Sequence, residues 1–341
     1  EELAMRQKLL LISISTLGFS ILIGLIMEIQ LRDSASAFRA QWSQSRSEGL
    51  NCYRPSSEPG LIYKMSPSSR CGLYNQQGFR DNPFQLEKVA GTFRIIVIGD
   101  SVAGGEGIDD IQLTFPKLLE RKLNSNSKRK IEVLNMAVTG YSTSQELVLL
   151  EKTALAYKPD LVLWSYCLND PAHPVFHHAN ANRGRFFVRP TSYFLSWLEE
   201  KVYRVKENLK VALCEHRDKI PYGPNPRIDF HTVLHCSQKD QTARQFKKFA
   251  GLLSDRKIPA LFLIHPVHHG DKFGSYPLTF IHDFLKEQAR AQKMTVLDSL
   301  ELFGDIESAS VSRDIWHLNR AGHVKVAEGL FKLFKERRLI K

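Results

Sequence analysis

The chain has few of the usual signposts, and each gap removes a class of function. None of its five cysteines forms a C-x-x-C pair, which removes the zinc-ribbon and dithiol redox readings. The glycines at 99, 104, 105 and 107 do not follow G-x-G-x-x-G, and no Gly-Lys-Ser/Thr comes after them, so the stretch is not a phosphate cradle. There is no G-x-S-x-G elbow, and no H-E-x-x-H among the twelve histidines. No nucleic-acid motif accompanies the basic residues. The absence of long biased tracts argues against a largely disordered chain, and no internal repeat is present.

What remains is ample for one large α/β domain and an appendage: 341 residues, 43% of them hydrophobic and 24% charged. The net charge of +11 and a pI near 9.4 favour attraction to polyanions such as lipid headgroups or acidic glycans. The lysines and arginines are dispersed over helical patterns (RKLNSNSKRK, EEKVYRVKENLK, KLFKERRLIK), the mark of a solvated basic surface. Leu9 to Met27, LLLISISTLGFSILIGLIM, is 19 residues without a charge. At about 1.5 Å per residue such a helix matches a hydrocarbon core of about 30 Å. Met5-Arg-Gln-Lys before it reads as a natural start with a basic flank. The run is long for a cleaved signal, and the small-residue ASA at 35–37 lies well beyond it. The expectation is a retained signal-anchor over 1–32, with the following domain on the exported side. In an exported domain, Cys52 with Cys71, or Cys214 with Cys236, can each close a disulfide. Cys167 falls in a buried strand pattern.

Residues 33–92 are polar and weakly periodic, an expected membrane-proximal arm packed on the main domain. From 93 to 341 the pattern alternates. Strands are expected at Arg94–Ile98, Glu132–Ala137, Leu161–Tyr166, Ala260–His265 and Thr295–Leu297. Helices are expected at Phe115–Leu123, Gln145–Tyr157, Thr242–Leu253, Phe280–Ala291 and Arg320–Arg337. This alternation implies a doubly wound parallel five-stranded sheet with helices on both faces. An inserted helical subdomain is expected at about 171–241, with a helix near Tyr193–Leu213. The aromatics Phe186, Phe187, Tyr193, Phe194 and Trp197 could form a lipid-facing patch on a lid, but their spacing fits ordinary amphipathic packing better. The histidine trios at 173, 177 and 178 and at 265, 268 and 269 lack metal-site spacing, so no metal or other cofactor is expected.

Ligands of a doubly wound sheet bind outside the carboxyl ends of its strands. The first strand ends in Gly99-Asp100-Ser101, the second in Thr139-Gly140, the third in Asn169-Asp170, and RDIWHLN precedes the last helix. These are the parts of acyl transfer. A serine hydroxyl needs a base, and imidazole titrates near neutrality. Asp314 is placed to orient His317, while the Ser101 and Gly140 backbone N–H groups and the Asn169 amide are candidate oxyanion donors.

The four blocks IGDSVAGGEG, NMAVTGYS, SYCLND and DIWHLN resemble, in order and spacing, those of the SGNH/GDSL hydrolase superfamily. The resemblance covers about 93–338 and implies a flavodoxin-like sheet. It also implies Ser101 as nucleophile and oxyanion donor, Gly140 and Asn169 as further donors, His317 as base and Asp314 as its acid. Val102-Ala103 departs from the commoner leucine-led sequence, which leaves the substrate unassigned. The family includes lipases, carbohydrate O-acetyl esterases, thioesterases and polysaccharide acyltransferases. With the anchor, this implies a serine-dependent acyl-ester hydrolase of the cell envelope acting on an acylated glycan or a lipid ester. An O-acyltransferase with the same triad, or a non-catalytic glycan-binding or scaffold protein, are the rival expectations.

Overall fold

A computed structural model of the chain describes residues 2–47, 52–67, 73–175, 190–214, 226–268 and 272–340. It opens with α1 (Glu2–Ser47), which carries the apolar run and does not end near residue 32. Met5–Gln41 of this helix is long and apolar enough to cross a membrane, and none of its most apolar window is buried. Three hydroxyls inside the run bond back along the helix, Ser13 to the Leu9 carbonyl at 2.8 Å, Thr16 to that of Ile12 at 2.8 Å and Ser20 to that of Thr16 at 2.9 Å. Those three hydroxyls therefore spend their protons inside the helix instead of facing hydrocarbon unpaired.

The arm forms a small antiparallel ladder of β1 (Tyr53–Pro55) and β2 (Tyr63–Met65). The main sheet follows: β3 (Phe93–Gly99), β4 (Ile131–Asn135), β5 (Leu161–Tyr166), β6 (Ala260–Ile264) and β7 (Thr295–Asp298). All pairs are parallel, in the order β4-β3-β5-β6-β7. The central strands β3 and β5 are buried at every position, as expected for a parallel sheet covered on both faces. The chain leaves β3 toward β4 on one side and then crosses to β5 on the other. The switch point thus lies between the carboxyl ends of β3 and β5.

The covering helices are α2 (Ser101–Gly104), α3 (Phe115–Asn124), α4 (Thr143–Lys152), α5 (Tyr193–Ala212), α6 (Pro226–Ser254), α7 (Thr279–Ala291), α8 (Ser299–Phe303) and α9 (Arg320–Glu336). Two depart from the sequence pattern. The expected helix Gln145–Tyr157 breaks at Thr153, after which Ala154–Tyr157 winds as a 3₁₀ turn. The helix expected to begin at Thr242 begins at Pro226, so that the last stretch of the anticipated insert, 226–241, is one continuous rod with the covering helix. Its early turns bury His231, Thr232, His235, Ser237 and Gln238, so the inward stripe there is polar and gives little apolar periodicity. Cys214 and Cys236 form a disulfide tying the end of α5 to α6. Cys52 is also in a disulfide, while its candidate partner Cys71 lies outside the described residues.

Candidate active site

The serine turn is built by a tight strand end. A side-chain carbon on Gly99 would lie 2.7 Å from the Ser165 carbonyl oxygen of β5, so only glycine lets β3 close here. Asp100 then caps α2, its carboxylate accepting the Val102 N–H at 2.9 Å, which sets Ser101 at the helix start. Ser101 is only 8% exposed, enough for its hydroxyl to reach the surface of the site.

His317 and Asp314 come from the loop between β7 and α9. That loop is clamped by Arg313 N–H to the His317 carbonyl at 2.9 Å and Asn319 N–H to the Val311 carbonyl at 3.0 Å. Asn319 also caps α9 by accepting the Gly322 N–H at 3.1 Å. The Asp314 carboxylate accepts the backbone N–H groups of Trp316 at 2.8 Å and His317 at 2.9 Å. The same carboxylate lies 2.8 Å from His317 Nδ1, and His317 Nε2 lies 2.9 Å from Ser101 Oγ. Carboxylate, imidazole and hydroxyl therefore form one continuous hydrogen-bonded chain. Partial burial works to raise the Asp314 pKa, but hydrogen bonds from the His317 ring and the two N–H groups outweigh it. The carboxyl is held below its ordinary value and stays ionised beside the ring.

The other two sequence candidates sit at the neighbouring strand ends. Gly140 has φ +77°, the left-handed region that a side chain would strain. Its loop is stitched to the serine turn, with Val138 N–H donating to the Gly99 carbonyl at 3.0 Å and Thr139 Oγ1 to Glu106 at 3.1 Å. Asn169, just past β5, points an amide N–H at Asp100 Oδ2 over 3.4 Å, which leaves its second N–H available. The Asn169 loop is held from below by Thr143 N–H to the Asp170 carbonyl at 2.9 Å.

Three carboxyl groups, Asp100, Glu146 and Asp170, are buried beneath these loops. Desolvation raises the pKa of each, and for Glu146 and Asp170 the neighbouring acids add to the rise. Among the described residues one side-chain donor reaches Glu146, the Trp164 indole at 2.8 Å.

The arm makes a contribution that motif reading missed. Arg80 is buried and its guanidinium donates to the carbonyls of Gly104, Gly105 and Ile108, bracing the loop that follows the serine. Tyr63 donates to the Thr139 carbonyl at 2.9 Å, and Tyr141 returns a bond to the Tyr63 carbonyl at 2.6 Å. The serine loop and the Gly140 loop are thus pinned by residues from the 33–92 segment. Of the candidate histidines, His177, His178 and His269 lie outside the described residues. Among the described residues no group of three or more His, Cys, Asp or Glu side chains is arranged to hold a metal.

No family model and no curated protein matches the sequence. Among solved structures, the chain is similar to a putative lipolytic protein of the G-D-S-L family from Desulfitobacterium hafniense, with 11% identity and a TM-score of 0.42 over 70% of this chain and 98% of that one. It is also similar to a lipase/acylhydrolase from Enterococcus faecalis, at 12% identity and a TM-score of 0.43, covering 72% and 96%. An acetylxylan esterase from Geobacillus stearothermophilus matches at 13% identity and a TM-score of 0.42, covering 70% and 93%. The fold assignment rests on the strand order and parallel register described above rather than on these likenesses.

Proposed function

We propose that the chain is a serine-dependent acyl-ester hydrolase of the SGNH/GDSL type, anchored by α1 with its catalytic domain on the exported side of a membrane. One observation carries this reading: the unbroken contact from Asp314 through His317 to Ser101 Oγ. In the reaction, His317 Nε2 takes the Ser101 proton as Oγ bonds to the ester carbonyl carbon. The carbonyl oxygen becomes an oxyanion met by the N–H groups of Ser101 and Gly140 and the free N–H of Asn169. Collapse breaks the bond to the alcohol, which leaves with the proton from His317. Water then attacks the acyl-enzyme, giving its proton to His317, and the acid departs as Ser101 is re-protonated. Asp314 keeps the ring in the tautomer that accepts at Nε2 and steadies the imidazolium. The substrate class this reading favours is an acylated glycan or a lipid ester at the envelope, where the basic surface attracts acidic partners.

Labelling of the purified chain by a fluorophosphonate probe tests it. Labelling is expected in the native chain and absent in Ser101→Ala and His317→Ala. A folded native chain that stays unlabelled would sink the reading and favour a binding or scaffold role. Product analysis with and without a glycan acceptor then separates hydrolysis from acyl transfer to a sugar hydroxyl.

A further inference from the structure

The helix α5 carries an apolar stripe that nothing in the described structure covers. Leu195, Leu198, Val202, Val205 and Leu209 are between 43% and 61% exposed. They recur at steps of three and four, and at about 100° per residue they fall within an arc of about 80°. The opposite face is the packed one. Tyr193, Glu200 and Glu207 are buried there, and Glu207 accepts hydrogen bonds from Ser237 at 3.0 Å and Gln238 at 2.7 Å of α6. The stripe therefore points away from the domain.

Where α5 starts says what it meets. Glu28 is the first charged residue after the apolar run of α1, and it accepts Ser192 Oγ at 2.9 Å and the Phe194 N–H at 2.8 Å. Arg39 donates to the Tyr193 hydroxyl at 2.7 Å, and the Phe194 ring lies against Gly24, one turn inside the run. The first turn of α5 is thus fixed where hydrocarbon gives way to headgroups. Trp197, stacked on Phe194 with centroids 6.1 Å apart, is a side chain suited to that level. Lysines border the stripe, Lys201 on one side and Lys206 on the other, against one exposed carboxylate, Glu199, while Lys210 turns back to donate to the Ser237 carbonyl at 3.1 Å.

We propose that α5 is a second membrane contact, an amphipathic helix whose Leu/Val stripe rests on the anionic lipid surface beside the anchor. The proposal rests on the reading of α1 as a membrane span. Long lysines beside the stripe would reach the headgroups while the leucines and valines enter the acyl boundary. The spacing of Tyr193, Phe194 and Trp197, read from sequence as ordinary packing, here serves the junction with α1; Phe186 and Phe187 lie outside the described residues. A consequence is that α5, tied to α6 by Cys214–Cys236, would hold the domain at a fixed attitude to the bilayer instead of letting it swing on α1.

Photo-cross-linking of the full chain in phosphatidylcholine–phosphatidylglycerol vesicles tests this. Benzoylphenylalanine replaces Leu17 in α1, Val205 in α5 or Lys332 in α9, one at a time. Lipid adducts are expected at 17 and 205 and not at 332. With Lys201→Glu and Lys206→Glu together, the adduct yield at 205 should fall by about fivefold or more while that at 17 is unchanged. Adducts at 17 without adducts at 205 would overturn the proposal and leave the anchor standing. Cross-links from 205 to a second copy would overturn it in favour of a helix pair. Absence of lipid at 17 would overturn the anchor and the proposal with it.

Discussion

Two serine–histidine pairs of equal length sit in this molecule, and only one is arranged for chemistry. Ser101 Oγ and His317 Nε2 are 2.9 Å apart, as are Ser165 Oγ and His265 Nε2. The first pair lies at the switch point of the sheet, and Asp314 faces its second ring nitrogen. The second is sealed between β5 and β6, with both residues fully buried and His265 Nδ1 without a hydrogen-bond partner among the described residues. Burial, reinforced by the nearby His323 and His268, lowers the His265 pKa to about 3. That ring cannot take a proton from a hydroxyl at neutral pH, and no substrate could reach it. Distance alone therefore does not make a nucleophile; the third group and access do.

The sharpest way to break the comparison is to delete each hydroxyl in turn. Ser101→Ala should lower kcat about 10⁴-fold or more with stability little changed. Ser165→Ala should leave kcat within about threefold and instead cost about 1–3 kcal/mol, because a buried ring nitrogen loses its partner. Esterase kinetics and urea unfolding in detergent, read on the same two proteins, check both halves. Equal loss of activity in the two variants would mean that the buried pair is part of the catalytic apparatus.

Next in size is the far nitrogen. Asp314→Asn keeps the shape but no longer favours the proton on His317 Nδ1, so kcat should fall about 10²–10⁴-fold with KM little changed. Because folding holds Asp314 below its ordinary pKa, the carboxylate adds stability that is present above its unfolded value and is lost as the pH falls through the lowered folded value. The stability gap between the native chain and Asp314→Asn should narrow over that range, which urea unfolding at stepped pH checks. A pH–rate profile for Asp314→Asn that matches the native one apart from scale would count against this role.

How much of this was legible in the sequence follows from what kind of group does each job. Ser101, Gly140, Asn169, Asp314 and His317 are reactive or conformationally special residue types at strand ends, so topology alone gathers them to one edge. Arg80 works by donating to three backbone carbonyls, and nothing in a side-chain pattern announces carbonyls in need of a donor. The start of α6 was hidden because its buried face is made of His, Thr, Ser and Gln. The stripe on α5 was visible as periodicity, but periodicity does not say whether the far side meets protein or lipid.

Arg80 offers a middle-sized test of how the site around Ser101 is kept in order. Arg80→Met should cost about 3 kcal/mol as the carbonyls of Gly104, Gly105 and Ile108 lose a charged donor. It should also lower kcat about tenfold by loosening the serine turn. A stability loss without any change in kcat would confine Arg80 to folding.

The smallest effect is a pH dependence carried by the ring of the buried pair. Folded His265 holds no proton until about pH 3, whereas in the unfolded chain it takes one near pH 6.5. Its pKa is depressed by folding, so the stability it supports is present above pH 6.5 and drains away as the pH falls. The loss is about 1.4 kcal/mol per pH unit. The raised carboxyls of Glu146 and Asp170 work in the opposite sense, which makes the whole-protein slope a poor readout. The difference between native and His265→Gln cancels those groups. The variant should be the less stable at pH 7, and the gap should narrow by about 2 kcal/mol at pH 5. A gap that stays constant would mean that His265 accepts a proton inside the fold, and the two serine–histidine pairs would then differ in access alone.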